Sequence, residues 1–309
     1  MKKILTTLVA ILSSGILGLS VITNTKTAKA DDNDTPVVTL GTSLTASQKQ
    51  GTIDTLTQSL NGANYTTITI TGSDLVKYLN PSGYDFTDNS GVWSSAMVQK
   101  TSSGSGINVH ILPYNGHNNI TTITANQYKN AALTAGISDA DIYVTSATPI
   151  DGSGALAGVY AAYAKNGDSL NQKQINAAQT EMNTLSKITS QNKGKDGYSD
   201  AQLNNAVAGA KKEMAKQGQN ISDSQVRDIV NNQININHLG DTITNNQKEQ
   251  IINVLIKVKN SGALKDKNFQ QQASQLTDQI QSGAKNIFSK FNTPETRNWF
   301  QKLIDSIVS

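Results

Sequence analysis

The spacing of the apolar residues changes once along this chain, near residue 150, and that change limits what it can fold into. Before it, period-2 and period-3.6 stretches take turns. Val37, Val38, Thr39 and Leu40 form a short β-branched run. Residues 65–71, 92–101, 107–113 and 140–148 also predict strands, and Ser102-Ser103-Gly104-Ser105-Gly106 predicts a turn joining the middle two into a β-hairpin. Helical spacing covers 45–60, 73–79 and 124–135, the second ended by Asn80-Pro81. Strands separated by helices predict an α/β (α+β) domain with a mixed sheet over 31–150. From Gly154 onward no strand is marked. Helices are predicted at 154–165, 172–188, 201–216, 223–232, 245–260, 268–291 and 294–308, so residues 151–309 read as an all-α helical domain.

Six of the helix starts share one pattern, a cap residue followed three positions later by Gln. They are Thr45/Gln48, Thr124/Gln127, Asn171/Gln174, Ser199/Gln202, Ser222/Gln225 and Thr244/Gln247. In a capping box the cap side chain accepts a first-turn N–H while the Gln reaches back to the cap's own N–H. The spacing between copies is irregular, which favours six marked helix starts over a ligand-binding repeat.

The first thirty residues have a separate role. Lys2 and Lys3 precede an apolar run from Ile4 to Ile22, and Ala28-Lys29-Ala30 follows. This is the pattern of a secretory signal peptide over 1–30, with Ala28 and Ala30 forming the A-x-A cleavage site before Asp31, rather than of a retained membrane anchor. The expected location is secreted or extracellular, possible retention at the cell envelope being non-covalent. The chain has no cysteine, which excludes disulfides, thiol catalysis and thiolate metal sites. Its net charge of +3 comes largely from four leader lysines. Without them, 22 basic residues face 23 acidic ones, and the electrostatic case for nucleic acid disappears.

Candidate chemistry is sparse. Asp151-Gly152-Ser153-Gly154, with Gly158 beyond, sits between a predicted strand and a helix. Its glycine spacing departs from the dinucleotide fingerprint and reads first as a tight strand-to-helix turn. The sharper alternative is a small-anion or carboxylate site at Gly152, Ser153 and Gly154, where helix N–H groups point outward. His110 and His117 would suit a zinc site or a general base, yet no third ligand is marked by spacing, and neither metal nor cofactor is expected. Asp85, Asp88 and Asp151 are candidate carboxylates. Glu181, Glu213, Glu249 and Glu295 all fall on predicted helices and read as exposed. H-E-x-x-H and G-x-S-x-G are missing, and S-x-x-K at Ser190–Lys193 and Ser282–Lys285 lacks its partner motifs. Near the C-terminus, Phe269, Ala273, Leu276 and Ile280 form one apolar stripe and Trp299, Phe300, Leu303 and Ile304 another. Closing a bundle is the first reading of these stripes, and membrane-surface contact through the C-terminal helix the second.

Several segments taken together resemble a known family. They are Val37-Val38-Thr39-Leu40-Gly41, Ser90-Gly91-Val92, Gly106-Ile107, Asn130-Ala131-Ala132, Ala135-Gly136-Ile137 and Gly152-x-Gly154-Ala155-Leu156-Ala157-Gly158, with Ile243-Thr244-x-x-Gln247 further on. The chain is similar to the YpuA-like family, exported proteins of Gram-positive bacteria that carry a domain of unknown function. The resemblance implies an exported location and supplies no catalytic residues. The expectation is an exported, non-enzymatic binding protein whose partner is a cell-wall polymer or another envelope protein. The alternative is a secreted hydrolase using Asp85, Asp88, His110, His117 or Asp151.

Overall fold

A computed structural model of the chain describes residues 35–168 and 170–290. The signal segment with Ala28 and Ala30, and the helix expected at 294–308, lie outside the described residues.

Five strands form one mixed sheet: β1 (Val37–Gly41), β2 (Thr66–Ile70), β3 (Ser94–Lys100), β4 (Ile107–Ile111) and β5 (Ala140–Ser146). Their order is β2-β1-β3-β5-β4. β1 runs parallel to β2 and β4 parallel to β5, while β3 lies antiparallel between β1 and β5. β1 is buried along its whole length, as a central strand of Val-Val-Thr-Leu-Gly would be. β2, at the edge, leaves Thr66, Thr67 and Thr69 in solvent.

The expected hairpin of the third and fourth strands does not form, because β5 lies between them. The Ser102–Gly106 turn closes around the start of β5 instead. Thr101 donates its N–H to the Asp139 carbonyl, Ala140 donates to the Gly106 carbonyl, and Gly106 N–H reaches the Asp139 carboxylate at 3.0 Å. The glycines let this turn wrap a strand end: Gly104 and Gly106 both have φ near +80°.

Alternation sends the two sides of each strand to different helices. Val38, Leu40 and Met97 meet Leu56 and Leu60 of α1 (Ala46–Thr57) and the turn that follows it. Val37, Ala96, Val98, Ile142 and Val144 face the larger core. That side is covered by α2 (Gly72–Leu79), α3 (Ala125–Ala135) and α4 (Ser153–Lys165). So α4 follows residue 150 in sequence yet packs on β1 and β3.

The remaining helices are α5 (Gln172–Asn192), α6 (Asp200–Gln217), α7 (Asp223–Ile236), α8 (Asn245–Ser261), α9 (Phe269–Gly283) and the one-turn α10 (Lys285–Phe288). The helix expected over 268–291 breaks at Ala284, whose ψ of 37° leaves the helical range. α3 joins the halves, touching β4 on one side and α5, α6 and α9 on the other. One hydrophobic core therefore runs from Val37 to Ile280. Phe269, Ala273, Leu276 and Ile280 close it, which is the bundle role read from their spacing.

Four of the six helix starts are complete capping boxes, at Thr45, Thr124, Ser222 and Thr244. Ser199 caps Gln202 N–H, but the Gln202 side-chain oxygen accepts from the Ser199 hydroxyl at 2.8 Å instead of from the Ser199 N–H, while the amide nitrogen donates to the Asn237 carbonyl at 2.9 Å. Asn171 caps Lys173 rather than Gln174. An unmarked fifth box is built from Thr71 and Asp74.

Candidate functional site

The topology gathers loops at one end of the sheet. β1, β2, β4 and β5 end where β3 begins, so residues 41–43, 90–94 and 146–154 converge there. In open α/β sheets such an end is where ligands bind.

Three adjoining cavities form a cleft along this end. The first, about 320 Å³, is lined by Phe86, Trp93, Ser94, Asp151 and Ser153 among others. The second, about 300 Å³, shares Asp151 and adds Tyr84, Asn183 and Lys187. The third, about 430 Å³, shares Thr122, Ile123 and Ser190 with the second and adds Lys193, Tyr198 and Asp200. The loop before β3 forms one wall, residues 118–125 the floor, and the end of α5 the opposite wall.

The loop wall is aromatic. Tyr84 and Phe86 stack with centroids 5.2 Å apart, and the Tyr84 hydroxyl donates to the Asn183 side-chain oxygen on α5. Trp93 remains 37% exposed. Its ring lies over Gly91, where an added Cβ would come within 2.2 Å of the indole, so only glycine lets the ring lie that close.

The glycines of the Asp151–Gly158 stretch have packing reasons. Gly152 holds φ +105° beneath the Tyr128 hydroxyl, which donates to its carbonyl at 2.6 Å. An added Cβ on Gly154 would stand 2.9 Å from Ser94 Oγ, and one on Gly158 only 2.4 Å from Thr39 Oγ1. They bring α4 against the sheet. Asp151 occupies the helix start, its Oδ1 accepting both the N–H and the hydroxyl of Ser153 at 3.0 Å. A bound anion at Gly152, Ser153 and Gly154 would meet this carboxylate.

At the far end, Asp200 opens α6 and is mostly enclosed. Burial pushes its carboxyl above the usual range, against hydrogen bonds from Thr124, Thr189, Asn126 and Asn204. Asn204 passes the contact inward to Asn130, and Asn130 accepts from Lys211 at 2.8 Å through its carbonyl. Lys211 meets Glu181, which also accepts from Thr134 at 2.6 Å. Glu181 is thus fully buried, not exposed as its helical position suggested, because a lysine on the next helix, α6, supplies its counter-charge.

Of the sequence candidates, Asp151 lines the cleft, and so do Ser190 and Lys193. Asp85 and Asp88 are exposed in the loop before β3, Asp88 accepting from Ser73 at 2.8 Å. His110 stacks on Tyr143, 4.9 Å between centroids, on the sheet face that carries α1. His117 is exposed in a turn paired with Tyr114. Among the described residues, no group of three His, Asp or Glu side chains is placed to hold a metal ion. Sequence reading missed the aromatic wall. A signal existed: in a chain with 5% aromatic residues, Tyr84, Phe86 and Trp93 fall within ten positions.

The family described as "Protein of unknown function (DUF1002)" matches residues 40–276. The uncharacterized protein YpuA of Bacillus subtilis (strain 168) is 30% identical over 274 residues, covering 88% of this chain and 86% of that protein. No solved structure matches. With a match over most of its length and a relative that aligns nearly end to end, the chain belongs to the YpuA-like, DUF1002 family of proteins of unknown function.

Proposed function

We propose that this is an exported, non-enzymatic binding protein of the cell envelope, and that its ligand is a glycan-bearing wall polymer lying along the cleft. The signal-like residues 1–30 support export. Among the described residues, no helix is long and apolar enough to cross a membrane. The observation that carries the ligand class is the cleft lining, with Tyr84, Phe86, Trp93 and Tyr198 spaced along a groove that mixes aliphatic side chains such as Val92, Ile123 and Ile150 with hydroxyls, amides and a few charges. Extended ligands with apolar faces and polar edges fit such a lining. Binding is favoured over turnover because the acids and histidines marked in the sequence are spread over different surfaces, with only Asp151 in the cleft.

The test is co-sedimentation of the compact unit Asp31–Ser309 with purified cell-wall sacculi. Saturable binding that falls when Trp93 and Tyr84 are replaced by Ala supports the reading, and no binding at any salt concentration overturns it. A hydrolase is the second reading, because Ser190, Lys193 and the raised carboxyl of Asp200 border one cavity. Release of soluble fragments from sacculi, lost in Ser190→Ala or Asp200→Asn, would establish it.

A further inference from the structure

Resting on the cleft reading above, we infer that its Trp93 end is a subsite for one uncharged pyranose ring of the polymer, with the sugar face on Trp93 and its hydroxyls on Asp151 and Ser94.

Three independent observations point to this chemistry. The first is the platform. Trp93 is held close over Gly91 yet stays 37% exposed at the mouth of a cavity of about 320 Å³, within the range of small-molecule sites. A fixed, half-open indole offers an apolar face to the C–H side of a sugar ring at little entropic cost. The second is an unmet hydroxyl. Ser94 lines the same cavity, is only 1% exposed, and its Oγ has no hydrogen-bond partner among the described residues. Buried hydroxyls are normally paired, so this one marks a place where a partner is due. The third is the sign of charge. The start of α4 already holds its own carboxylate, since Asp151 Oδ1 takes the Ser153 N–H and hydroxyl. A carboxylate accepts hydrogen bonds rather than offering them to an anion, so the Asp151 side chain suits a donor such as a sugar hydroxyl. A phosphate or carboxylate ligand would be repelled there, whereas a neutral polyol would not.

Uncharged pyranose rings occur in N-acetylated amino-sugar strands and in plain glucans, so the probes are tetra-N-acetylchitotetraose and maltotetraose. Trp93 and Trp299 are the two tryptophans of the chain, so the Trp299→Phe protein reports on Trp93 alone. Titrating each sugar into it should change the Trp93 emission saturably, and the sugar with the tighter curve identifies the source. By calorimetry on the otherwise unaltered protein, Trp93→Ala should abolish the binding. Ser94→Ala should weaken it about three- to tenfold with an unchanged melting temperature, a pairing that a purely structural serine would not give. Asp151→Asn, which keeps an acceptor at the helix start, should weaken binding at least tenfold. No emission change up to 20 mM of either sugar overturns the subsite, as does equal binding by the Trp93→Ala and Ser94→Ala variants. Sacculus binding that survives Trp93→Ala also removes the subsite while leaving the envelope reading standing. Sugar binding without sacculus binding does the reverse.

Discussion

Lys211 Nζ lies 2.5 Å from Glu181 Oε1 with both side chains closed off from solvent, so α5 and α6 share an ion pair inside the helical half. Burial pulls the lysine's affinity for its proton down and pushes the glutamate's up, and each charge opposes the shift of the other. The arrangement is stable only as a pair.

Removing one partner should therefore cost more than removing both. Lys211→Met leaves a buried carboxylate and is expected to lower unfolding free energy by about 3–5 kcal/mol. Adding Glu181→Leu should recover most of that loss. Urea unfolding of the two proteins decides it, and a double variant no more stable than Lys211→Met would refute the account.

The close approach of α4 to the sheet makes a second prediction. Gly158→Ala places a Cβ 2.4 Å from Thr39 Oγ1, on a hydroxyl that is itself bonded to the Ala96 backbone at 3.1 Å. Overpacking of this kind is expected to cost about 1–3 kcal/mol. Gly283→Ala, with nothing within 4 Å, should be neutral or stabilise by up to about 1 kcal/mol. Thermal melts of the two proteins should move in opposite directions or differ by several degrees.

Asp139 makes the strand-end turn pH-sensitive. Burial raises its affinity for a proton, but the Gly106 N–H, the Gln272 side chain and the N–H groups of Gly104 and Ser105 together outweigh that and hold the carboxyl below its ordinary 3.8. The folded value lies below the unfolded one. The stabilisation is therefore complete above the unfolded value and disappears as pH falls through the folded one. Asp139→Asn should lower the melting temperature clearly at pH 7 and hardly at all at pH 2. A pH-independent loss would show that the carboxylate charge is not what matters.

Lys187 and Lys193 are exposed cations beside the cleft. If anionic groups of the wall polymer pass them, sacculus binding should weaken with salt, and Lys187→Ala with Lys193→Ala should flatten that dependence. An unchanged salt slope in the double variant would place the polymer elsewhere.

Element type was legible in the sequence because it is a local matter. The Thr-Ile alternation of 66–70, the caps at Thr45, Thr124, Ser222 and Thr244, and the stripe from Phe269 to Ile280 all act within a few residues of themselves. Strand neighbours were not legible. Ser102–Gly106 has good hairpin-turn composition, yet its glycines serve to wrap Asp139 at the start of another strand.

The sequence by itself determined the order of helices and strands and most helix starts, that no cysteine chemistry is available, and that the second half is helical. Only tertiary structure decided the rest. It seated β5 between β3 and β4, turned Glu181 inward toward Lys211, and drew Trp93, Ser94 and Asp151 to one cavity. The physical reason is range. Hydrogen-bond caps and hydrophobic period are satisfied by near neighbours, whereas a buried charge, a sheet order and a cleft depend on which distant residues arrive beside them.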